Sequence, residues 1–144
     1  MQVSHRITLV LAAGLVIATV LVLWAGPSPK LPRGRLVAVN GRRMHLVCTG
    51  AGEPRVILEG PQTGISALWI PVQNGIAAFT EVCSYDRAGF GLSDPGPLPR
   101  TSAEIASELH AHLANASVGP PYILVGASAG GFPFACMQPG IQTM

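Results

Sequence analysis

At 144 residues the chain has room for one domain of ordinary size and not for two. Its net charge of +2 is small and scattered, with no basic groove interleaved with aromatics, so nucleic acid is not an expected partner. Hydrophobic residues reach 49% and charged residues only 11%, more apolar than an average soluble domain.

Much of that apolar excess has one source. From Ile7 to Ala25 the stretch ITLVLAAGLVIATVLVLWA runs nineteen residues without a charge. As a helix it is long enough to cross a hydrocarbon core of about 30 Å. No polar face interrupts it, which argues against a buried core helix. A cleaved secretory signal has an apolar core of roughly 7–15 residues before a small-x-small site. This run is longer, and Leu23 takes the outer position in Leu23-Trp24-Ala25. Residues 1–25 are therefore read as an anchor or signal segment, with a retained single-pass membrane anchor through residues 7–25 preferred. Only Arg6 precedes it, whereas Lys30, Arg33, Arg35, Arg42 and Arg43 follow, a bias that would hold the following part in the cytoplasm.

Residues 26–34 (GPSPKLPRG) read as a linker, with three prolines and two glycines, and the domain is placed at 35–144. Two β-prone runs, RLVAV and RRMHLVC, flank Asn40-Gly41, a dipeptide suited to a type I′ hairpin turn. Gly50–Pro54 is a loop, and Arg55–Glu59 is a short apolar strand ending at Gly60-Pro61. A helix is predicted around Ala67–Phe79, interrupted by Pro71. Glu81–Asp86 reads as another strand, leading into a Gly/Pro-rich loop from Arg87 to Arg100.

Thr101 with Glu104 three residues on makes a capping-box pattern at the next helix. Ile105, Leu109 and Leu113 recur every four residues and share one face. His110 and His112, two apart, do not share a face and are read as surface or boundary residues rather than metal ligands. Gly119-Pro120-Pro121 ends the helix. Tyr122–Val125 is wholly apolar, as in a strand buried on both faces of a parallel sheet. The order hairpin, strand, helix, strand, helix, strand implies an α/β sheet with crossover helices.

Directly after that last strand comes Gly126-Ala127-Ser128-Ala129-Gly130-Gly131. In G-x-S-x-G the serine sits on a sharp strand-to-helix turn, and small neighbours let the backbones cross. The hydroxyl is left exposed. The next backbone N–H, that of Ala129, points at the same spot, and the dipole of the following helix adds to it.

Three further segments carry a resemblance. Cys83–Asp94 contains Asp86-Arg87-Ala88-Gly89-Phe90-Gly91-Leu92-Ser93, of the form D-R-x-G-x-G-x-S; Val39–Gly50 and Val56–Gly60 precede it in order. From about Leu36 to Gly131 the chain resembles the α/β-hydrolase family. The resemblance implies the first half of an α/β-hydrolase sheet: an N-terminal hairpin plus parallel strands with crossover helices, running to the nucleophile elbow. Ser128 then matches the nucleophile and Ala129 N–H one oxyanion donor. Gln62 N–H, in the loop after Leu58-Glu59, matches the second donor. Pro61 departs from the pattern there, standing where the family commonly has glycine. Asp86 and Arg87 match loop-organising residues. The chemistry implied is hydrolysis of a small-molecule ester, thioester or related acyl bond through a Ser128 acyl-enzyme, with no metal and no organic cofactor.

The same resemblance exposes a gap. The family's triad runs Ser…Asp/Glu…His, yet the sixteen residues after Ser128 contain no Asp, Glu or His. His5, His45, His110 and His112 do not match the family's base. Phe132–Met144 does not continue the pattern either. Pro133 falls about five residues into the expected helix, at a cost of roughly 3 kcal/mol in an interior position, and the stretch reads as a truncated or frame-shifted end. The expectation is a hydrolase pattern that is inert as this chain. The alternative is a non-catalytic, membrane-tethered remnant or binding module.

Of three cysteines, Cys136 lies in the anomalous stretch and is assigned nothing. Cys48 and Cys83 sit on strands that are antiparallel neighbours in the family's sheet, where a disulfide is geometrically reasonable. Buried free thiols are an equal alternative. A bridge would argue for a domain outside the cytoplasm, against the charge bias.

Overall fold

The computed structural model describes residues 34–137. The expected anchor, all of the linker but Gly34, and His5 lie outside the described residues, as does the sequence after Met137.

Five strands form one sheet: β1 (Arg35–Val39), β2 (Arg42–Thr49), β3 (Arg55–Glu59), β4 (Val82–Tyr85) and β5 (Tyr122–Gly126). Their order across the sheet is β1-β2-β4-β3-β5. The first two make the expected hairpin, with Asn40 at φ 49° and Gly41 at φ 78°, the two positive values that a type I′ turn requires. β2 runs antiparallel to β4, and β4, β3 and β5 are mutually parallel. β4 is buried throughout and β3 nearly so. Burial of successive residues along both strands reflects layers on both faces.

One layer is α2 (Ser102–Asn115) with the short α3 (Gly131–Ala135). Leu109, Leu113 and Phe134 there pack on Val37, Met44, Ile57, Tyr85 and Leu124. The other is α1 (Ile70–Ile76), which covers Val56, Leu58 and Val82. The helix expected over Ala67–Phe79 is shorter and divided: a 3-10 turn over Ser66–Trp69 precedes α1. Pro71 does not interrupt the helix. It occupies the first turn, where its missing N–H has no acceptor to lose. Gln73 fills the gap between α1 and the sheet, donating to the Val47 and Val82 carbonyls at 2.9 and 3.1 Å and accepting from Ser84 Oγ at 2.7 Å.

The capping box at α2 is formed as its spacing requires. Glu104 N–H donates to Thr101 Oγ1 at 3.2 Å, and the Glu104 carboxylate accepts from Thr101 N–H at 3.2 Å. Thr101→Ala is expected to cost about 1 kcal/mol, measured as a shift of the urea midpoint with unchanged slope. An unchanged midpoint would mean that tertiary contacts alone hold the helix start. Glu108, further along α2, accepts from Arg42 and from Arg100, each at 2.5 Å, and so ties the helix to the hairpin and to the end of the 87–100 loop.

His110 is exposed, as read from the sequence, but His112 is not a boundary residue. Its side chain is fully buried, edge-on to Tyr85 with ring centroids 5.8 Å apart. It lies on the face that Leu109 and Leu113 take, since three and four residues make one helical turn.

Candidate active site

The strand β5 ends in a turn that only certain residues can make. Ala127 is still extended, Ser128 swings to φ 53°, and a 3-10 turn over Ser128–Gly130 leads into α3. A left-handed backbone at a residue with a Cβ costs about 1–3 kcal/mol and persists only where surroundings enforce it. Those surroundings are visible. A Cβ on Gly130 would stand 2.5 Å from the carbonyl oxygens of both Glu59 and Gly60, and one on Gly126 would meet Gly130 at 2.7 Å. Both glycines are therefore steric requirements of a backbone crossing. Ala127 N–H donates to Glu59 O at 3.1 Å, and Gly130 N–H returns to Ala127 O at 2.9 Å. Ser128 itself is exposed.

Pro133 does not break a helix here. α3 begins at Gly131, so the proline is its third residue and lies in the first turn, buried, with no intrahelical bond to lose.

The neighbouring parallel strand supplies the second loop. Glu59 pairs in register with Gly126, so the segments following β3 and β5 leave the same sheet edge side by side. Gly64 N–H donates to Pro61 O at 2.8 Å, making Gln62 and Thr63 the central pair of a tight turn. Gln62 is exposed. Ser128, Ala129 and Gln62 thus come from adjacent loops at the carboxyl ends of parallel strands, where open α/β sheets bind ligands.

Asp86 and Arg87 close β4 as organisers. Asp86 is buried and accepts from Ser66 N–H at 2.6 Å and Leu92 N–H at 2.9 Å, with His45 Nδ1 at 3.1 Å. Arg87 donates to the Glu59 carboxylate at 2.7 Å and to Gly60 O at 2.8 Å. Glu59 and Tyr85, the latter donating its hydroxyl to Glu59 Oε2, were not singled out from the sequence. The signal was present. A lone acid closing an otherwise apolar parallel strand needs a buried partner. Burial raises the Glu59 pKa above the usual carboxylate value, with Tyr85 and Arg87 pulling the other way.

None of the described histidines reaches Ser128. His45 lies on β2, three strand spacings from β5, or about 14 Å at the usual interstrand distance. His112 is enclosed under α2, and His110 is on the solvent side of that helix. A general base must come within about 3 Å.

The cysteine alternatives resolve to a bond. Cys48 and Cys83 are direct partners in the antiparallel register of β2 and β4 and are joined as a disulfide, while Cys136 is free and exposed. Glu81 lies beside the two sulfurs, but both are committed to the bond and cannot act as ligands with it.

No protein-family model matches the chain. Among solved structures, an α/β-hydrolase fold protein from Chitinophaga pinensis superposes with a TM-score of 0.64 at 24% identity, over 73% of this chain and 38% of that one. The fold is that of the α/β-hydrolases. The epoxide hydrolase CorEH gives a TM-score of 0.64 at 24% identity over 71% and 36% of the two chains. Est816, described as an N-acyl homoserine lactone degrading enzyme, gives 0.63 at 23% over 69% and 38%. In α/β-hydrolase terms, the described residues hold the hairpin, the first parallel strands and the turn after β5.

Curated relatives match in sequence over a little more than half of this chain. A probable transporter of Hormonema carpetanum is 35% identical over 82 residues, which are 56% of this chain and 12% of that protein. An uncharacterized vacuolar membrane protein of Saccharomyces cerevisiae is 36% identical over 83 residues, 55% of this chain and 13% of that one. An uncharacterized protein of Bacillus subtilis is 32% identical over 81 residues, 56% and 32%. The aligned part is thus at most about a third of any of these relatives.

Proposed function

We propose that this chain carries the nucleophile and oxyanion half of a serine hydrolase site for a small acyl substrate, an ester or thioester, with no general base among the described residues. The observation that carries the reading is Ser128 held at φ 53° by a backbone crossing that tolerates only glycine at 126 and 130. Such strain has a use where a hydroxyl must stand clear of its own strand. Ser128 Oγ would attack the acyl carbon, and the N–H groups of Ala129 and Gln62 would receive the charge that develops on the carbonyl oxygen. Among the described residues no histidine comes within reach of Ser128, so none of them is placed to take its proton.

An external base tests this. A fluorophosphonate probe should not label the chain in plain buffer, and should label Ser128 when imidazole is added. Ser128 Oγ then bonds to phosphorus, fluoride leaves, and imidazole takes the proton. Ser128→Ala abolishes the signal. Labelling in plain buffer would reveal a base within the chain. No labelling with imidazole would favour the second reading, a non-catalytic tethered module.

The second donor has its own test. Gln62 is the first central residue of its turn, a position that accepts proline. Gln62→Pro removes that N–H and should slow imidazole-supported labelling about a hundredfold with little change in melting temperature. An unchanged rate would remove Gln62 from the site.

We read residues 7–25 as the membrane tether. The names of the yeast and Hormonema relatives, a vacuolar membrane protein and a transporter, agree with membrane association. The Cys48–Cys83 bond supports placing the domain on an oxidising, non-cytoplasmic side, and outweighs the charge bias around the tether.

A further inference from the structure

We propose that Glu59 and Arg87 are positioning residues that lock the Gln62 loop onto the Ser128 turn, so that the two oxyanion donors share one fixed geometry; this rests on the serine hydrolase reading. Glu59 touches both halves of the site. Its backbone oxygen accepts from Ala127 N–H at 3.1 Å, next to the serine, and its Cγ lies 3.0 Å from where a Gly130 Cβ would stand. Its carboxylate, wholly buried, holds Arg87 through Nε at 2.7 Å and Nη2 at 2.6 Å.

Arg87 then grips the loop at both ends. Nη2 donates to Gly60 O at 2.8 Å, and Arg87 N–H donates to Gly64 O at 2.8 Å. Its stem lies against Gly64, where a Cβ would come within 2.7 Å of Cγ and Cδ; Gly64 also has φ 50°. The five residues from Gly60 to Gly64 are therefore pinned at their two ends by one side chain and its own backbone, with Gln62 at the centre. Pro61 fits this arrangement. Its carbonyl closes the turn, and Gly64 N–H is the donor, so the N–H that proline lacks is not called upon. A buried charged pair is weak evidence for stability by itself. The guanidinium holds the start of the loop at Glu59 and Gly60 while the Arg87 backbone N–H holds its end at Gly64, so one residue fixes both ends of the loop, which is what an oxyanion site needs and what a stability role does not.

Imidazole-supported fluorophosphonate labelling of the full chain tests the idea. Arg87→Met and Glu59→Gln should lower the limiting labelling rate about tenfold or more, leave the half-saturating probe concentration unchanged, and act at temperatures well below melting. Arg87→Lys should recover part of the rate, since one ammonium can reach only one of the two acceptors well. Thr101→Ala, destabilised elsewhere, should label like the parent. In a Gln62→Pro background the Arg87→Met effect should disappear, because the donor it positions is already gone. Folded Arg87→Lys and Glu59→Gln proteins labelling at the parental rate would overturn the proposal, as would an Arg87→Met effect that adds fully to Gln62→Pro. A parent chain that does not label with imidazole would instead overturn the serine reading itself.

Discussion

Breaking the Cys48–Cys83 bond is expected to remove about 4 kcal/mol of stability. The two residues are 35 apart in sequence and pair directly across β2 and β4. A loop of that length closed in the unfolded chain restricts it by roughly the stated amount on the chain-entropy account. The bond also staples the antiparallel hairpin to the parallel strands, because β2 to β4 is where those two parts of the sheet meet. For a domain near 100 residues each kcal/mol shifts melting by about 4–8 °C, so reduction should lower the midpoint by on the order of 20 °C. Cys48→Ala with Cys83→Ala should melt near the reduced protein. A thiol count supplies the control: one reactive thiol per denatured chain before reduction, from Cys136, and three after. Three thiols without reductant, or equal melting with and without it, would dissolve the bond and the case for an oxidising compartment with it.

What the sequence could yield followed from local rules. Asn40-Gly41 fixes a hairpin because positive φ at both positions suits few other residues, and Thr101 with Glu104 fixes a helix start because two orphan N–H groups need acceptors. Ser128 is legible in the sequence because its turn demands glycine two residues to either side, so the constraint is written in adjacent letters. Pro71 and Pro133 misled for a related reason. A proline marks a helix boundary without saying which side of it the helix lies on, and both stand in first turns. The Glu59–Tyr85–Arg87 cluster is harder to see, because Tyr85 at the end of β4 and Arg87 just beyond it stand 26 and 28 residues from Glu59 and meet it only when β3 and β4 pair. The same holds for the disulfide, whose partners were nameable from a resemblance but whose bond depends on register.

His112 stands three residues from Leu109 and beside Leu113, which puts it on the buried face of α2 rather than at the boundary that its spacing to His110 suggests, and its burial has a measurable consequence. The ring is fully buried and its nitrogens make no well-formed hydrogen bond. Burial lowers its pKa from 6.5 to about 4; the Met44 backbone pulls the other way, and His45 and Arg35 add to the lowering. The sign follows from linkage. As pH falls below 6.5 the unfolded chain gains a proton at this histidine while the folded chain refuses it until about pH 4, so stability is lost across that window and levels off below it. The loss amounts to about 3 kcal/mol. Other groups titrate in the same range, so the difference between parent and His112→Leu is the quantity to follow. Leucine fills similar space and leaves no polar atom unpaired. Its stability advantage should be small at pH 7 and grow by about 3 kcal/mol by pH 4 in urea denaturation. A difference that stays flat with pH would mean that the ring finds a proton acceptor inside the fold, and would place a second polar cluster beneath α2 beside Tyr85.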